Sequence, residues 1–408
     1  MARFCKFVSM KRTVAYLNSN DGSSILAFGE RDRIRIQYAV DMTALDDFLF
    51  RNGNLFRFGC LSYDLKRAIH RLPIHNEDSV EFPDLMFWVP DCVVRMDQEN
   101  FEFLQGEKTE ENLDFVNKVL EEETNTNFHQ HDFVFRPRIL KDEYVENVYQ
   151  LKTHLQRGDI YEVNYCQEFL AENAAIPNVW DAYFKLNHLT QAPHSAFIGF
   201  DEFAVFCGSP ERFLRKSGDR LISQPIKGTS RRSSDPEEDE RLKQALQNDP
   251  KERSENVMIV DLVRNDLSRV ASKNSVLVDE LCGAYTYETV HQLISTISCE
   301  LRREVSFSDI LHATFPMGSM TGAPKRRAME LIESHENFKR GLYSGSIGYI
   351  DPKGDFDFNV VIRTLIYNSE KEVLSCSVGS AITIQSDPEN EYEECLVKVR
   401  RIMEGINE

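Results

Sequence analysis

Apolar positions come in short runs through the first part of the chain. Residues 23–29, 55–63 and 85–89 are apolar or alternating and are bounded by Gly, Pro, Asn and Asp, which predicts strands. Residues 92–96 and 100–104 predict a hairpin across Asp97-Gln98-Glu99. The period then lengthens. Leu113, Val116 and Leu120 share one face of an exposed helix over 110–122. The polar stretch 123–131 reads as a linker between an N-terminal half (1–130) and a second region (140–408). The first half holds no chemistry-bearing cluster and reads as a packing half or a cover.

Beyond the linker the helical period is clearer. Tyr144, Val148, Leu151 and Leu155 predict an amphipathic helix over 141–157, closed by Gly158. Residues 159–166 alternate as a strand, 179–189 predict a helix, and 196–200 with 203–207 predict a hairpin over Asp201-Glu202. Residues 220–224 lead as a strand into Lys227. Residues 239–271 are helical in pattern, broken at Asp249-Pro250. A short helical piece at 311–315 precedes a Gly-rich turn at 317–325, which feeds a helix over 325–335. Residues 345–350, 356–367 and 372–384 read as a meander. A last helix over 391–405 turns Leu396, Val399, Ile402 and Met403 to the core. No fixed-period repeat or low-complexity tract interrupts this order.

Composition narrows the class. With 408 residues, 41% hydrophobic and 28% charged, the chain suits one large soluble domain or two ordinary ones. A formal net charge of -18 argues against nucleic acid held on a general basic surface. It leaves room for a small anionic substrate in a local basic pocket. Nine scattered cysteines without a Cys-x-x-Cys pair read as reduced thiols. The N-terminus lacks an apolar signal core, and no segment approaches the length of a membrane span. These features predict a cytoplasmic protein with no membrane partner.

Six stretches are candidates for chemistry. In Ser223-Gln224-Pro225-Ile226-Lys227-Gly228-Thr229 a Pro–Lys–Gly turn holds one lysine on a stiff frame. Such a lysine is a nucleophile if burial or neighbouring cations lower its pKa, and Arg231 and Arg232 are at hand; the competing reading is a solvated loop lysine. Glu252 and Glu255 are three apart, as are Glu391 and Glu394, so each pair shares a helix face. Two such faces suit Mg²⁺, although glutamate-rich faces are commonly just solvated. The turn Ser319 to Pro324, with Lys325 and Arg326, offers a helix N-terminus to an anion, or is an ordinary Pro-started helix. Arg363 interrupts the apolar run 361–365 and needs a carboxylate, its own or a ligand's. Gly379-Ser380-Ala381-Ile382 is a small-residue patch for close approach of a ligand or of another strand.

The order and wording of the motifs add more. Asp159-Ile160-Tyr161-Glu162-Val163-Asn164, Ser209-Pro210-Glu211-Arg212-Phe213, Pro225-Ile226-Lys227-Gly228-Thr229, Met258 to Leu267, Thr321-Gly322-Ala323-Pro324-Lys325, Ile362-Arg363-Thr364 and Glu391-Tyr392-Glu393-Glu394-Cys395 together closely resemble the chorismate-binding enzymes. That family includes anthranilate synthase component I, aminodeoxychorismate synthase component I, isochorismate synthase and salicylate synthase. The resemblance is dense over about residues 140–405 and looser at Phe58 to Asp64.

The resemblance implies an α/β (α+β) fold like that of anthranilate synthase component I. Two intertwined halves would pack sheet on sheet, with helices outside and the site in the cleft. It implies chorismate as substrate and Mg²⁺ held by Glu255 and Glu394, with Glu391 close by or acting through water. Glu211 matches the general acid for the departing C4 hydroxyl. Arg363 and Tyr349 match positions that hold the pyruvyl carboxylate, and Thr321 matches a substrate-facing hydroxyl. Gly379, Ser380 and Lys398 complete the implied substrate contacts.

Lys227 resembles the aminodeoxychorismate synthase branch, where the lysine is thought to attack C2 and ammonia then adds at C4; anthranilate synthases usually carry Ala there. Water-activating members carry a lysine in the strand at 159–164, where this chain has Glu162. The implied product is 4-amino-4-deoxychorismate, the precursor of p-aminobenzoate and folate. The chain has no Cys-His glutaminase signature, so a separate glutamine amidotransferase would supply ammonia. Three departures stand out. The histidine of His291-Gln292 lies one place early, so that Gln292 takes its site; Ala381 adds a methyl to the small-residue patch; and no Leu-Leu-Glu-Ser motif for tryptophan inhibition is present. The alternatives are anthranilate synthase component I, which Lys227 argues against, and a non-catalytic homologue. The intact set of Glu211, Lys227, Glu255, Glu394 and Arg363 argues against the latter.

Overall fold

The computed structural model describes residues 12–97 and 100–408; Gln98, Glu99 and the segment containing Cys5 lie outside the described residues. Two large antiparallel sheets organise the chain. The first runs from Gly322–Ala323 through Glu162–Glu172, Val373–Ile382, Thr364–Asn368, Phe203–Ser209 and His194–Phe200. It continues through Val14–Asn18, Ser23–Phe28, Cys92–Asp97 and Asn100–Gln105, with Arg136–Pro137 beside Glu162–Glu172. The second runs from Ile226–Arg231 through Val290–Glu300, Arg220–Gln224, Arg212–Ser217 and Phe356–Asn359 to Ser346–Ile350, Arg57–Leu61, Leu85–Val89 and Asp32–Ile36.

N-terminal strands extend both sheets. Val14–Asn18 pairs with His194–Phe200, and Arg57–Leu61 pairs with Ser346–Ile350. The two parts of the chain are therefore interwoven around one continuous apolar core. Polar contacts cross between the sheets: the Asn359 amide donates to the His194 carbonyl at 2.9 Å, and Ser209 Oγ to the Val360 carbonyl at 2.5 Å.

Helices cover the sheets where the spacing predicts them. Lys141–Arg157 buries Tyr144, Val148, Leu151 and Leu155, and Gly158 closes it in the left-handed conformation (φ 80°). Pro388–Asn407 packs on that helix and on the strand Val373–Ile382. The helix Glu110–Thr124 buries Val116 and Val119 rather than a Leu113–Val116–Leu120 stripe.

The motif at Phe58 to Asp64 has a clear structural task. Ser62 Oγ and the Tyr63 N–H both donate to the Gly341 carbonyl, and the Gly341 N–H donates to Asp64 Oδ2 at 2.8 Å. The Arg340 guanidinium lies 4.4 Å from the centre of the Tyr63 ring. The N-terminal part thus buttresses the segment that carries Arg340 and Tyr343. Burial pushes the Asp64 carboxyl up to about 6 despite Lys339 and Lys66.

Two sequence expectations change, and one hairpin has no counterpart in the sequence reading. The strand predicted from 159 begins only at Glu162, after an exposed Tyr161. The run 356–367 is two strands in different sheets, Phe356–Asn359 and Thr364–Asn368, so the predicted meander does not exist. Between them Arg363 adopts φ 52°, and Val360 and Val361 donate their N–H groups to the Glu211 and Gly345 carbonyls instead of to a neighbouring strand. The hairpin Leu277–Thr286/Val290–Glu300 escapes the pattern altogether. Its first strand is bulged twice, with Cys282 at φ 53°, which destroys strict alternation.

Candidate active site

Lys227 sits on a bulged strand, not in a turn. Pro225 separates Arg220–Gln224 from Ile226–Arg231. Ile226 pairs with Ile294, and regular pairing resumes only at Thr229 opposite Gln292. Gly228 absorbs the irregularity at φ 86°, where a Cβ would come within 3.0 Å of Glu252 Oε2. The bulge turns Lys227 inward, and Nζ donates to Glu162 Oε1 at 2.7 Å, with the two side chains 12% and 1% exposed.

Burial pushes the Lys227 pKa down, but Glu162, Glu255 and Glu211 outweigh it and the net shift is upward. The expected help from Arg231 and Arg232 is absent, because these pair outward with Glu238 and Asp239. The resting lysine is a clamped ammonium.

Glu211 lies between the strands Phe203–Ser209 and Arg212–Ser217 and is 4% exposed. Ser319 Oγ donates to its Oε1 at 2.7 Å. Burial pushes this carboxyl up to about 7 against Ser319, Lys227 and Arg363. A carboxyl poised there can hold a proton near neutral pH and release it.

Arg363 also lines the cavity. Among the described residues no carboxylate pairs with it; burial and Arg401 pull its pKa down, and Glu211 opposes them. Of the two readings of this arginine, the internal salt bridge is not formed. An unpaired guanidinium in a cavity can receive a ligand carboxylate.

Two helices supply the acidic side of the same cavity, whose volume is about 480 Å³. Asp249 caps Pro250–Ser268 through the N–H groups of Lys251 and Glu252, which aims Glu252 and Glu255 inward. Pro388–Asn407 aims Glu391 and Glu394 from the other side. Three of these four acids have a partner: Lys251 Nζ is 3.9 Å from Glu255, Lys398 Nζ is 2.7 Å from Glu394, and Ser380 Oγ donates to Glu391.

Burial pushes Glu255 up to about 7, and Lys227 only partly opposes this. Burial also pushes Glu394 upward, but Lys398, Lys251 and Lys227 bring it below the usual value. Among the described residues no three metal-ligating side chains converge as a ready cage. The donors are nonetheless hard oxygens on two facing helices, with lysine ammonium groups drawn among them. That chemistry fits a cation held by one or two carboxylates, with water and substrate oxygens supplying the rest.

The small-residue patch forms one wall. A Cβ on Gly379 would lie 2.5 Å from Asn164 Oδ1, so any other residue would have to displace that buried amide. Its carbonyl accepts from Lys398 Nζ at 3.2 Å. The Ala381 methyl lines the cavity without closing it.

Other expected residues lie elsewhere. Tyr349 stacks on Phe58 at 5.7 Å and lines a separate hollow with Arg212, Arg215 and Asp357, whereas Tyr343 lines the cavity. Thr321 is fully buried and donates to the Met317 carbonyl at 3.1 Å, which pins the turn; Ser319 and Met320 are the turn residues that reach the cavity. Lys325 gives no anion site, because its Nζ pairs with Asp266 at 2.6 Å. His291 points away to Asp239 and Thr286, and the next residue, Gln292, lines the cavity, as strand alternation requires.

The sequence does not single out Asn164, Tyr343 and Lys251 as cavity residues, and it marks Ser319 only as the start of a turn. Asn164 had a signal, since it lies two residues from Glu162 on one strand. A buried network holds these parts together. Arg340 donates to the carbonyls of Met320 (2.8 Å) and Asn164 (2.7 Å) and pairs with Glu336 at 2.5 Å.

The description "chorismate binding enzyme" belongs to the family model that matches residues 11–404, and the chain belongs to that family. It is 38% identical over 363 residues to aminodeoxychorismate synthase component 1 of Klebsiella aerogenes, covering 88% of this chain and 78% of that protein. It is 36% identical over 365 residues to the protein of the same name from Escherichia coli (strain K12), with the same coverage. The solved anthranilate synthase component I from Streptococcus pneumoniae TIGR4 matches with a TM-score of 0.79 and 28% identity, over 93% of this chain and 91% of that one.

Proposed function

We propose that this chain aminates chorismate at C4, giving 4-amino-4-deoxychorismate for the p-aminobenzoate branch of folate synthesis. The single observation that carries this reading is Lys227, bulged into the cavity that also holds the proton-poised Glu211. In this reading the Lys227 amine attacks C2 as the C4 hydroxyl leaves with the Glu211 proton. Ammonia then adds at C4 and expels the lysine. Arg363 receives the pyruvyl carboxylate, and Tyr343, not Tyr349, is the tyrosine that lines this cavity. These cations and Lys398 form the basic side of a cavity whose other side is acidic, in a protein of net charge -18.

Glu255 and Glu394, with Glu391 behind them, would hold Mg²⁺. A metal there supplies charge neutralisation for a substrate carboxylate. Ammonia would come from a separate glutamine amidotransferase. The cytoplasm suits the eight described cysteines, all buried and unbonded. No helix among the described residues is long and apolar enough to cross a membrane.

The test is the product made from chorismate, Mg²⁺ and a high ammonium concentration. Aminodeoxychorismate, converted to p-aminobenzoate when a lyase is added, is the expected outcome. Fluorescent anthranilate would mean that nitrogen enters at C2, and the reading would fall. A second prediction concerns the metal. Glu255→Gln should lose Mg²⁺-dependent turnover by on the order of 10²-fold; full activity at the parent's Mg²⁺ requirement would remove Glu255 from the metal shell.

A further inference from the structure

Resting on that reading, one difficulty remains. A nucleophilic lysine needs a free amine, yet Lys227 is an ammonium held among carboxylates. Glu162, Glu255 and Glu211 hold its charge most strongly, and Glu252 and Glu394 also feel it. Among the described residues only Glu162 hydrogen-bonds to it, at 2.7 Å. Glu211 is engaged by Ser319, and Glu255 and Glu394 lie near Lys251 and Lys398.

Glu162 differs from these in two ways. Its backbone is clamped on both sides. Ala323 pairs with Glu162 itself, and Ile382 and Gly322 both pair with Val163. Gly322, at φ 143°, approaches so closely that a Cβ would lie 2.2 Å from the Glu162 carbonyl oxygen. Second, Glu162 Oε2 is buried with no hydrogen-bond partner, so among the described residues Lys227 is the only side-chain donor to this carboxylate. Moving one proton across the contact turns a buried ion pair into a buried neutral pair and relieves the desolvation cost of both groups.

We propose that Glu162 is the proton acceptor that activates Lys227. It takes one proton from the ammonium, and the freed lone pair forms the C2–N bond. The C4–O bond breaks, and the hydroxyl leaves as water with the Glu211 proton. When ammonia bonds to C4, the C2–N bond breaks and returns its electron pair to Lys227. Glu162 then gives its proton back to that amine, and the new C4 ammonium reprotonates Glu211. The sum is chorismate plus ammonia giving aminodeoxychorismate plus water.

The test compares the full-length parent with Glu162→Gln and Glu162→Asp. Aminodeoxychorismate formation is followed from neutral to alkaline pH, and chorismate binding is measured separately. Gln keeps an acceptor oxygen for Lys227 but cannot take a proton. Its kcat at neutral pH should fall by on the order of 10²-fold or more. Its rate should then stay level from neutral to alkaline pH, where solvent deprotonation of Lys227 offsets loss of the Glu211 proton and the parent's rate falls, and chorismate affinity should hold. Asp should recover part of the neutral rate.

A Gln variant that matches the parent at every pH overturns the proposal. So does a slower Gln variant with the parent's pH profile, which would make Glu162 only a positioning residue. If the parent makes aminodeoxychorismate and Lys227→Ala does not, those outcomes count against Glu162 alone. A parent that makes another product overturns both readings.

Discussion

Lys227→Ala should lose C4 amination, with kcat down by on the order of 10²-fold or more. The loss follows from the site's geometry. Lys227 is the amine that the Gly228 bulge drives between Glu162, Glu211 and Glu255. Arg363 and the two glutamate helices are untouched by the change, so chorismate should still bind, and the effect belongs in kcat more than in KM. Removing the ammonium also leaves Glu162 buried without its partner, which costs stability. Lys227→Arg separates the two roles, since it keeps the cation but supplies no comparable nucleophile. The measurement is steady-state aminodeoxychorismate formation, with binding followed independently. Unchanged product formation by the Ala variant would remove the nucleophile from the account.

Glu211→Gln should lower kcat by on the order of 10²–10⁴-fold, the range for a lost general acid. The pH dependence carries the sharper signature. Burial holds the Glu211 pKa at about 7, and the protonated form is the working acid. The parent's rate should therefore fall as pH rises through about 7, and that limb should vanish in the Gln variant.

Stability follows the same sign. The folded pKa is raised from 4.5, so the contribution of Glu211 is fully present below about 4.5 and is lost as pH rises through about 7. Glu211→Gln should flatten that part of the stability curve, which thermal unfolding across the same pH range would read. A Gln variant with the parent's alkaline limb would assign the acid to another group.

Much of this architecture is legible in the sequence where a period is long and unbroken. The helix Lys141–Arg157 is an example, since four apolar residues and one terminal glycine specify its length, face and end. The principal site residues are legible as motifs. What those motifs do not carry is the direction in which a side chain points.

Thr321 and Ser319 occupy one turn, and the backbone there sends the threonine hydroxyl to the Met317 carbonyl and the serine hydroxyl to Glu211. Tyr349 and Tyr343 flank the same Gly-Ser segment. Tyr349 lies on the regular strand Ser346–Ile350, and its ring stacks on Phe58; Tyr343 precedes a left-handed Ser344 and faces the cavity. Arg231 and Arg232 follow Lys227 closely in sequence, but acids at 238 and 239 draw them away. The Glu162–Lys227 contact joins residues 65 apart across two sheets, and no local spacing announces it.

The most direct measurement of the central claim is the mass of the Lys227 peptide after the protein meets chorismate and Mg²⁺ without ammonia. Attack at C2 with loss of the C4 hydroxyl predicts a covalent adduct, equal to chorismate less water, on Lys227. Adding ammonia should discharge it as aminodeoxychorismate. An unmodified Lys227 in a protein that still aminates chorismate at C4 would contradict the account.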